Sequence, residues 1–229
     1  MTRGILIAGN ESTLSQAIAA EAAKRVEHYA AAMIPGRLSG PPQLPSAQID
    51  GQALSELAAV SIQWNPGSPI SARSLVLAAE SRMEQINEAI LVCAPPPIRR
   101  PVAELSLTDI EVMVNDHIKG WFFLARELSA LFRARRTGTL ALVYSDSGAG
   151  GGKDDPADIL GPPAQASFQA FTRSLLAAAY GEPYLTTGFS CSEAGTETGF
   201  ASFVFKVLDD GNPRNNGKLH KYGRLNLFK

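Results

Sequence analysis

Residues 138–175 constrain this chain more than any other stretch. They open Gly-Thr-Leu-Ala-Leu-Val-Tyr-Ser-Asp-Ser, pass through a glycine-rich segment at 148–152, and continue beyond Pro162-Pro163 into an alanine-rich run that ends Phe-Thr-Arg-Ser-Leu at 171–175. An aliphatic run without alternation is the pattern of a strand buried on both faces, and the run behind it has helical spacing. In an open parallel sheet the carboxyl end of such a strand borders the ligand crevice. The side chains that chemistry would need there are mostly absent.

The rest of the chain repeats the pattern. Residues 4–8 (Gly-Ile-Leu-Ile-Ala) predict a strand, Gly9-Asn10-Glu11-Ser12 a turn with a ready N-cap, and Leu14, Ala17, Ile18 and Ala22 an amphipathic helix. Strand, tight turn and helix form the opening unit of dinucleotide-binding sheets, where glycines let the backbone approach the pyrophosphate. Only Gly9 of those glycines is present. Further strands are expected at 28–34, 59–63, 88–94, 184–191 and 218–222. Helices are expected at 71–87, at 198–208, and from a Thr108 cap through Ile110, Val114, Ile118, Trp121, Phe122, Leu128 and Leu131. Strands alternating with helices predict an α/β fold: one Rossmann-like domain over 1–229, its doubly wound parallel sheet covered by helices on both faces.

Composition narrows the function classes. With 229 residues, 45% of them hydrophobic, and no linker-like tract, one core suffices. A formal charge of −1 gives no electrostatic case for nucleic acid, and Arg133, Arg135 and Arg136 read as a solvated helix end. Cys93 and Cys191 stand alone, which predicts a reducing compartment and no metal site. No apolar run approaches the roughly 18 residues of a membrane span, so a cytoplasmic protein without membrane contact is expected. Arg37 is placed where a 2′-phosphate could be met, but no second phosphate ligand accompanies it.

Four segments, in order and spacing, resemble the short-chain dehydrogenase/reductase family over nearly the whole chain. They are Ile7-Ala8-Gly9 through Ala17-Ile18-Ala19, Ile90-Leu91-Val92-Cys93-Ala94, Ile118-Lys119-Gly120-Trp121-Phe122, and Phe171-Thr172-Arg173-Ser174-Leu175. The resemblance implies an enzyme with a tyrosine general acid/base, a lysine four residues later, a serine that polarises the carbonyl and an asparagine that supports a water. Aligned on 172–175, the lysine position is Gln165 and the tyrosine position Gly161; aligned on Gly120, the asparagine position is His117. Ser145 is the best placed residue for the serine. The second and third glycines of the cofactor turn are Thr13 and Ser15, whose Cβ atoms are expected to crowd the pyrophosphate and strain the turn. Val92-Cys93-Ala94-Pro95 stands where the family has Asn-Asn-Ala-Gly, and no Pro-Gly accompanies Cys191-Ser192-Glu193.

A glycine donates no proton and a glutamine does not replace an ammonium's field. The resemblance therefore implies a fold kept without its chemistry, with no cofactor held by this chain. NAD is expected in a homologous active subunit, within a heterotetramer acting on a CoA-thioester or other hydroxyacyl substrate. Trp121, Phe122 and Leu128, with Ala166, Ala170, Ser174 and Ala177 at close-packing spacing, are the expected interface, although a monomer core needs the same residue types. Two alternatives stay open: an NAD(P)-dependent oxidoreductase with a rearranged site using Ser145 and His117, and a regulatory protein that senses a dinucleotide. A His117, Ser145 and Asp146 triad lacks the G-x-S-x-G elbow, and 148–153 departs from the phosphate-loop spacing. Tyr144 and Tyr180 are expected on a buried strand and at a helix end.

Overall fold

A computed structural model describes residues 3–25, 29–34, 59–146, 157–193 and 195–223. Arg37, the glycine-rich segment at 148–153 and the tail after Gly223 lie outside them. The strands are β1 (Ile5–Asn10), β2 (Tyr29–Ile34), β3 (Ala59–Gln63), β4 (Glu88–Cys93), β5 (Thr139–Ser145), β6 (Leu185–Cys191) and β7 (Leu219–Tyr222). They form one parallel sheet in the order β3-β2-β1-β4-β5-β6-β7. The order reverses between β1 and β4, which makes the gap at their carboxyl ends the natural ligand crevice.

The central strands are apolar throughout because both faces are covered. Ile5, Ile7, Ile90, Val92, Ala141 and Val143 pack on one side against α1 (Thr13–Ala23) and α6 (Glu197–Asp209). Leu6, Ala8, Leu91, Leu140, Leu142 and Tyr144 pack on the other against α2 (Pro69–Met83), the long helix at 107–135 and α5 (Gly161–Ala178). Alternate residues of each strand thus enter opposite cores, as the two-residue period requires.

Three boundaries depart from the sequence expectation. Helix α2 stops at Met83 rather than 87, because Glu84 turns into positive φ (64°) and the Asn87 side chain is used to accept the Gly4 N–H (2.7 Å). The long helix is capped by Ser106, not Thr108: Ser106 Oγ accepts the Asp109 N–H at 3.0 Å and the Asp109 carboxylate accepts the Ser106 N–H at 3.3 Å, a capping box. That helix is also divided into α3 (Leu107–Val114), a π turn (Asn115–Lys119) and α4 (Gly120–Arg135). At its joint Gly120 admits the chain after β3, since a Cβ there would lie 2.5 Å from the Pro66 Cβ.

The expected interface divides in two. Trp121 (1% exposed) and Leu128 (0%) belong to the chain's own core, with Trp121 edge-on to Phe168 at 5.5 Å, so neither is available to a partner. Phe122 (47% exposed) does face outward, against Phe171 of α5 at 4.3 Å between ring centroids. Ala166, Ala170, Ser174 and Ala177 line the exposed side of α5. The physical reason is helical phase: 121, 124, 125, 128 and 132 share the sheet-facing stripe of α4.

Candidate functional site

The crevice at the switch point begins with the turn after β1. Ser12 caps α1, its hydroxyl accepting the Ser15 N–H at 3.1 Å. One of the N–H groups that a helix N-terminus offers an anion is therefore already engaged. Ser15 is buried and its hydroxyl lies 3.0 Å from that of Ser12. A Cβ on Gly9 would come within 2.4 Å of Ser15 Oγ, so Gly9 is the residue that lets helix and strand meet. The expected strain is absent: Thr13 and Ser15 are helical residues, and among the described residues only Glu84 and Arg136 combine a Cβ with positive φ. Asn10, at the end of β1, donates from Nδ2 to the Ala94 carbonyl at 2.5 Å. That bond joins the carboxyl ends of β1 and β4 across the crevice, and Asn10 Oδ1 is buried with no hydrogen-bond partner.

The four family positions gather around the carboxyl end of β5 only in part. Gly161 opens α5, and its N–H donates to Asp158 Oδ1 at 3.0 Å, as does the Ile98 N–H at 3.3 Å. A Cβ on Gly161 would lie 2.2 Å from Asp158 Oδ2, so the position cannot carry any side chain while Asp158 stays in place. Gln165 donates from Nε2 to the Ser145 carbonyl and so ties α5 to β5. The Ser145 side chain turns the other way, toward the Cys191 carbonyl at 3.4 Å. Asp146, one residue on, returns to the α5 side, where Gln169 Nε2 donates to its Oδ1 at 2.7 Å. Burial raises the Asp146 carboxyl above its usual range, against the pull of Lys221 and Arg173.

His117 sits in the π turn, 3% exposed, with Nδ1 buried and without a hydrogen-bond partner. Burial pushes it down to about 4, so it is neutral at neutral pH. Between the π turn and the start of α5, an apolar cluster of Ile98, Met113 and Ala164, with Leu105, Ile118 and Leu160 against it, packs beside Gly161. Tyr144 is 2% exposed, its ring against Phe168 and its hydroxyl raised by burial, while Tyr180 is 78% exposed at the far end of α5. Neither can face a substrate in this crevice. Cys93 and Cys191 are buried free thiols, and burial raises Cys93 well above the usual thiol range.

A separate cavity of about 250 Å³ opens between α3 and the segment after β3, lined by Asn65, Gly67, Thr108, Glu111, Asn115 and Asp116. None of the family positions lines it. No group of three or more His, Cys, Asp or Glu among the described residues could hold a metal ion, and no helix there is long and apolar enough to cross a membrane.

Three features of the crevice were not recognised in the sequence: the roles of Asp158 and Asn10, and the turn of the exposed Asp146 toward Gln169. A signal existed for the last, because Asp146 follows directly on a strand in which 140, 142 and 144 alternate onto the α5 side. For Asp158, the only local sign is a helix-capping type of residue three places before Gly161. Nothing in the sequence pairs Asn10 with Ala94, 84 residues away.

Three contacts among the described residues set this crevice apart from the family pattern given above. One helix-terminal N–H is already taken by Ser12, a side-chain hydrogen bond from Asn10 joins the ends of β1 and β4, and the Asp158 carboxylate lies against the proton-donor position. The fold itself is that of known short-chain dehydrogenases. A short chain dehydrogenase from Bacillus anthracis superposes with a TM-score of 0.73 at 14% identity, covering 99% of this chain and 98% of that one. Serine dehydrogenase from Escherichia coli gives 0.69 at 16% identity, covering 96% of each chain. NADH-dependent reductase A1-R', solved in complex with NAD, gives 0.69 at 14% identity, covering 96% and 94%. No family model matches the sequence, and no curated protein does.

Proposed function

We propose that this chain is a non-catalytic subunit of the short-chain dehydrogenase/reductase family, one that assembles with and stabilises an active NAD-dependent homologue. The observation that carries this reading is the Gly161–Asp158 contact: the tyrosine position holds no side chain, and a carboxylate fills the space one would need. Loss of a proton donor alone leaves room for another mechanism. Here the lysine position is spent on tying α5 to β5, and the crevice at the switch point is bridged by Asn10. Such a subunit contributes surface rather than chemistry, as in the heteromeric CoA-thioester alcohol dehydrogenase of anaerobic toluene breakdown, whose inactive subunit this chain resembles in pattern. A hydroxyacyl thioester is accordingly the substrate class proposed for the assembled enzyme, with the nicotinamide cofactor and the proton relay supplied by the partner.

Calorimetric titration of the purified chain with NADH and NADPH, alongside a carbonyl-reduction assay, tests this. No saturable heat and no turnover are expected from the isolated chain. Micromolar binding with turnover sinks the proposal in favour of a rearranged oxidoreductase site, and binding without turnover favours a dinucleotide sensor.

A further inference from the structure

We infer that the cavity at the amino end of the sheet binds a small hydrophilic molecule bearing an oxyanion, a carboxylate or a phosphate, with Arg136 as the group that takes its charge. The inference goes beyond the subunit reading and does not depend on it. The cavity holds about 460 Å³ and opens where β4, β5 and β6 begin, with Glu88, Thr139 and Leu185 in its wall. That volume lies in the range of about 300–1,000 Å³ usual for small-molecule sites. Strands of six or seven residues separate it by about 20 Å from the crevice at their carboxyl ends, so the two sites are distinct.

The wall of the cavity is polar and held in place. Asn87 accepts the Gly4 N–H on Oδ1 at 2.7 Å, and its carbonyl accepts the Thr139 N–H at 2.9 Å. Asn216 accepts the Thr186 N–H at 2.8 Å and donates to the Ala179 carbonyl at 3.2 Å. Both carboxylates in the wall are neutralised: Glu88 by the forked guanidinium of Arg3, at 2.6 and 2.9 Å, and Glu182 by Arg133. Arg136 lines the same cavity and makes no ion pair among the described residues. The charge left over there is a guanidinium, whose planar fork matches a carboxylate or a phosphate.

The backbone at Arg136 is a second, independent sign. It ends α4 in the left-handed conformation, φ 57° and ψ 26°, where helices ordinarily place a glycine. Among the described residues only Glu84 also combines a Cβ with positive φ, and its neighbour Gln85 lines the cavity too. Strain of this kind gathers at ligand sites, where a particular side chain is retained despite its backbone conformation. The helix dipole does not account for the arginine, since Arg133 and Arg135 already supply cations to the last turn of α4.

Calorimetric titration of the full chain with inorganic phosphate and, separately, with citrate at about 20 mM salt reads this out, because low salt leaves the guanidinium unscreened. Saturable binding with a Kd below about 5 mM is expected for at least one of the two, and which one binds assigns the anion. Arg136→Gly should bind at least about tenfold more weakly and melt no lower than wild type, because glycine adopts positive φ without strain. Arg136→Gln removes the charge while keeping a polar side chain, and should lose affinity to the same extent. Arg82→Gln, at an exposed arginine outside the cavity, should bind as wild type does. Three results overturn the inference: a Kd above about 5 mM for both anions, undiminished binding in either Arg136 variant, or an equal loss in Arg82→Gln. NADH titration of Arg136→Gly reads the crevice without this cavity, so failure of the inference and failure of the subunit reading are told apart.

Discussion

Replacing Gly161 by alanine adds one methyl group where the structure has no space. Its Cβ would stand 2.2 Å from Asp158 Oδ2 and 3.0 Å from Asp158 Cγ, so the carboxylate must move. Overpacking of this kind costs about 1–3 kcal/mol. Displacing Asp158 also weakens its bonds from the Ile98 and Gly161 N–H groups, each worth about 1.5–3 kcal/mol when the acceptor is charged and the bond is lost outright. Alanine recovers less than about 1 kcal/mol of helix propensity, because the position is the first of its helix. A net loss of about 2 kcal/mol follows, equivalent to a fall in Tm of about 4–8 °C for a chain of this length. Thermal and urea unfolding of wild type, Gly161→Ala, Asp158→Gly and the double variant measure it. The double variant should show a favourable coupling of about 1–3 kcal/mol, since removing the carboxylate makes room for the methyl. A Gly161→Ala protein that melts within about 1 °C of wild type would falsify the steric argument. The functional corollary is that Gly161→Tyr with Gln165→Lys destabilises the chain and restores no NADH oxidation while Asp158 is present.

Trp121→Ala should cost about 3–5 kcal/mol in urea unfolding, as expected of a buried ring, whereas Phe122→Ala should change the isolated chain's stability by less than about 1 kcal/mol and lower affinity for a partner. His117 has a folded-state pKa depressed to about 4 by burial, so its contribution is fully present above the unfolded value near 6.5 and is lost as pH falls toward 4. The loss is on the order of 3 kcal/mol, and a His117→Gln protein should flatten stability between those pH values; an unchanged pH profile counts against a buried neutral imidazole. Ser12→Ala should cost about 1 kcal/mol in thermal unfolding by leaving the Ser15 N–H without its cap, and no change would show the cap to be redundant.

The strands were readable one by one because a doubly covered sheet demands unbroken aliphatic runs, and 88–93 and 139–145 show them plainly. The degenerate positions were readable as identities: a glycine at 161 and a glutamine at 165 exclude a tyrosine–lysine couple there whatever the fold. Periodicity could not reveal the π turn at 115–119, because one extra residue in a turn leaves no compositional trace. Nor could it assign Trp121 and Phe122, adjacent aromatics of which one is buried and the other half exposed.

From the chain alone came the layered α/β architecture and the absence of the expected proton-transfer residues, since both depend on residue type and local period. Tertiary structure alone decided that Asn10 reaches Ala94, that Asp158 occupies the space beside Gly161, and that Ser145 looks toward β6 while Asp146 looks toward α5. Those are contacts between segments up to 84 residues apart, and they exist only because strand order and helix phase bring distant side chains into register.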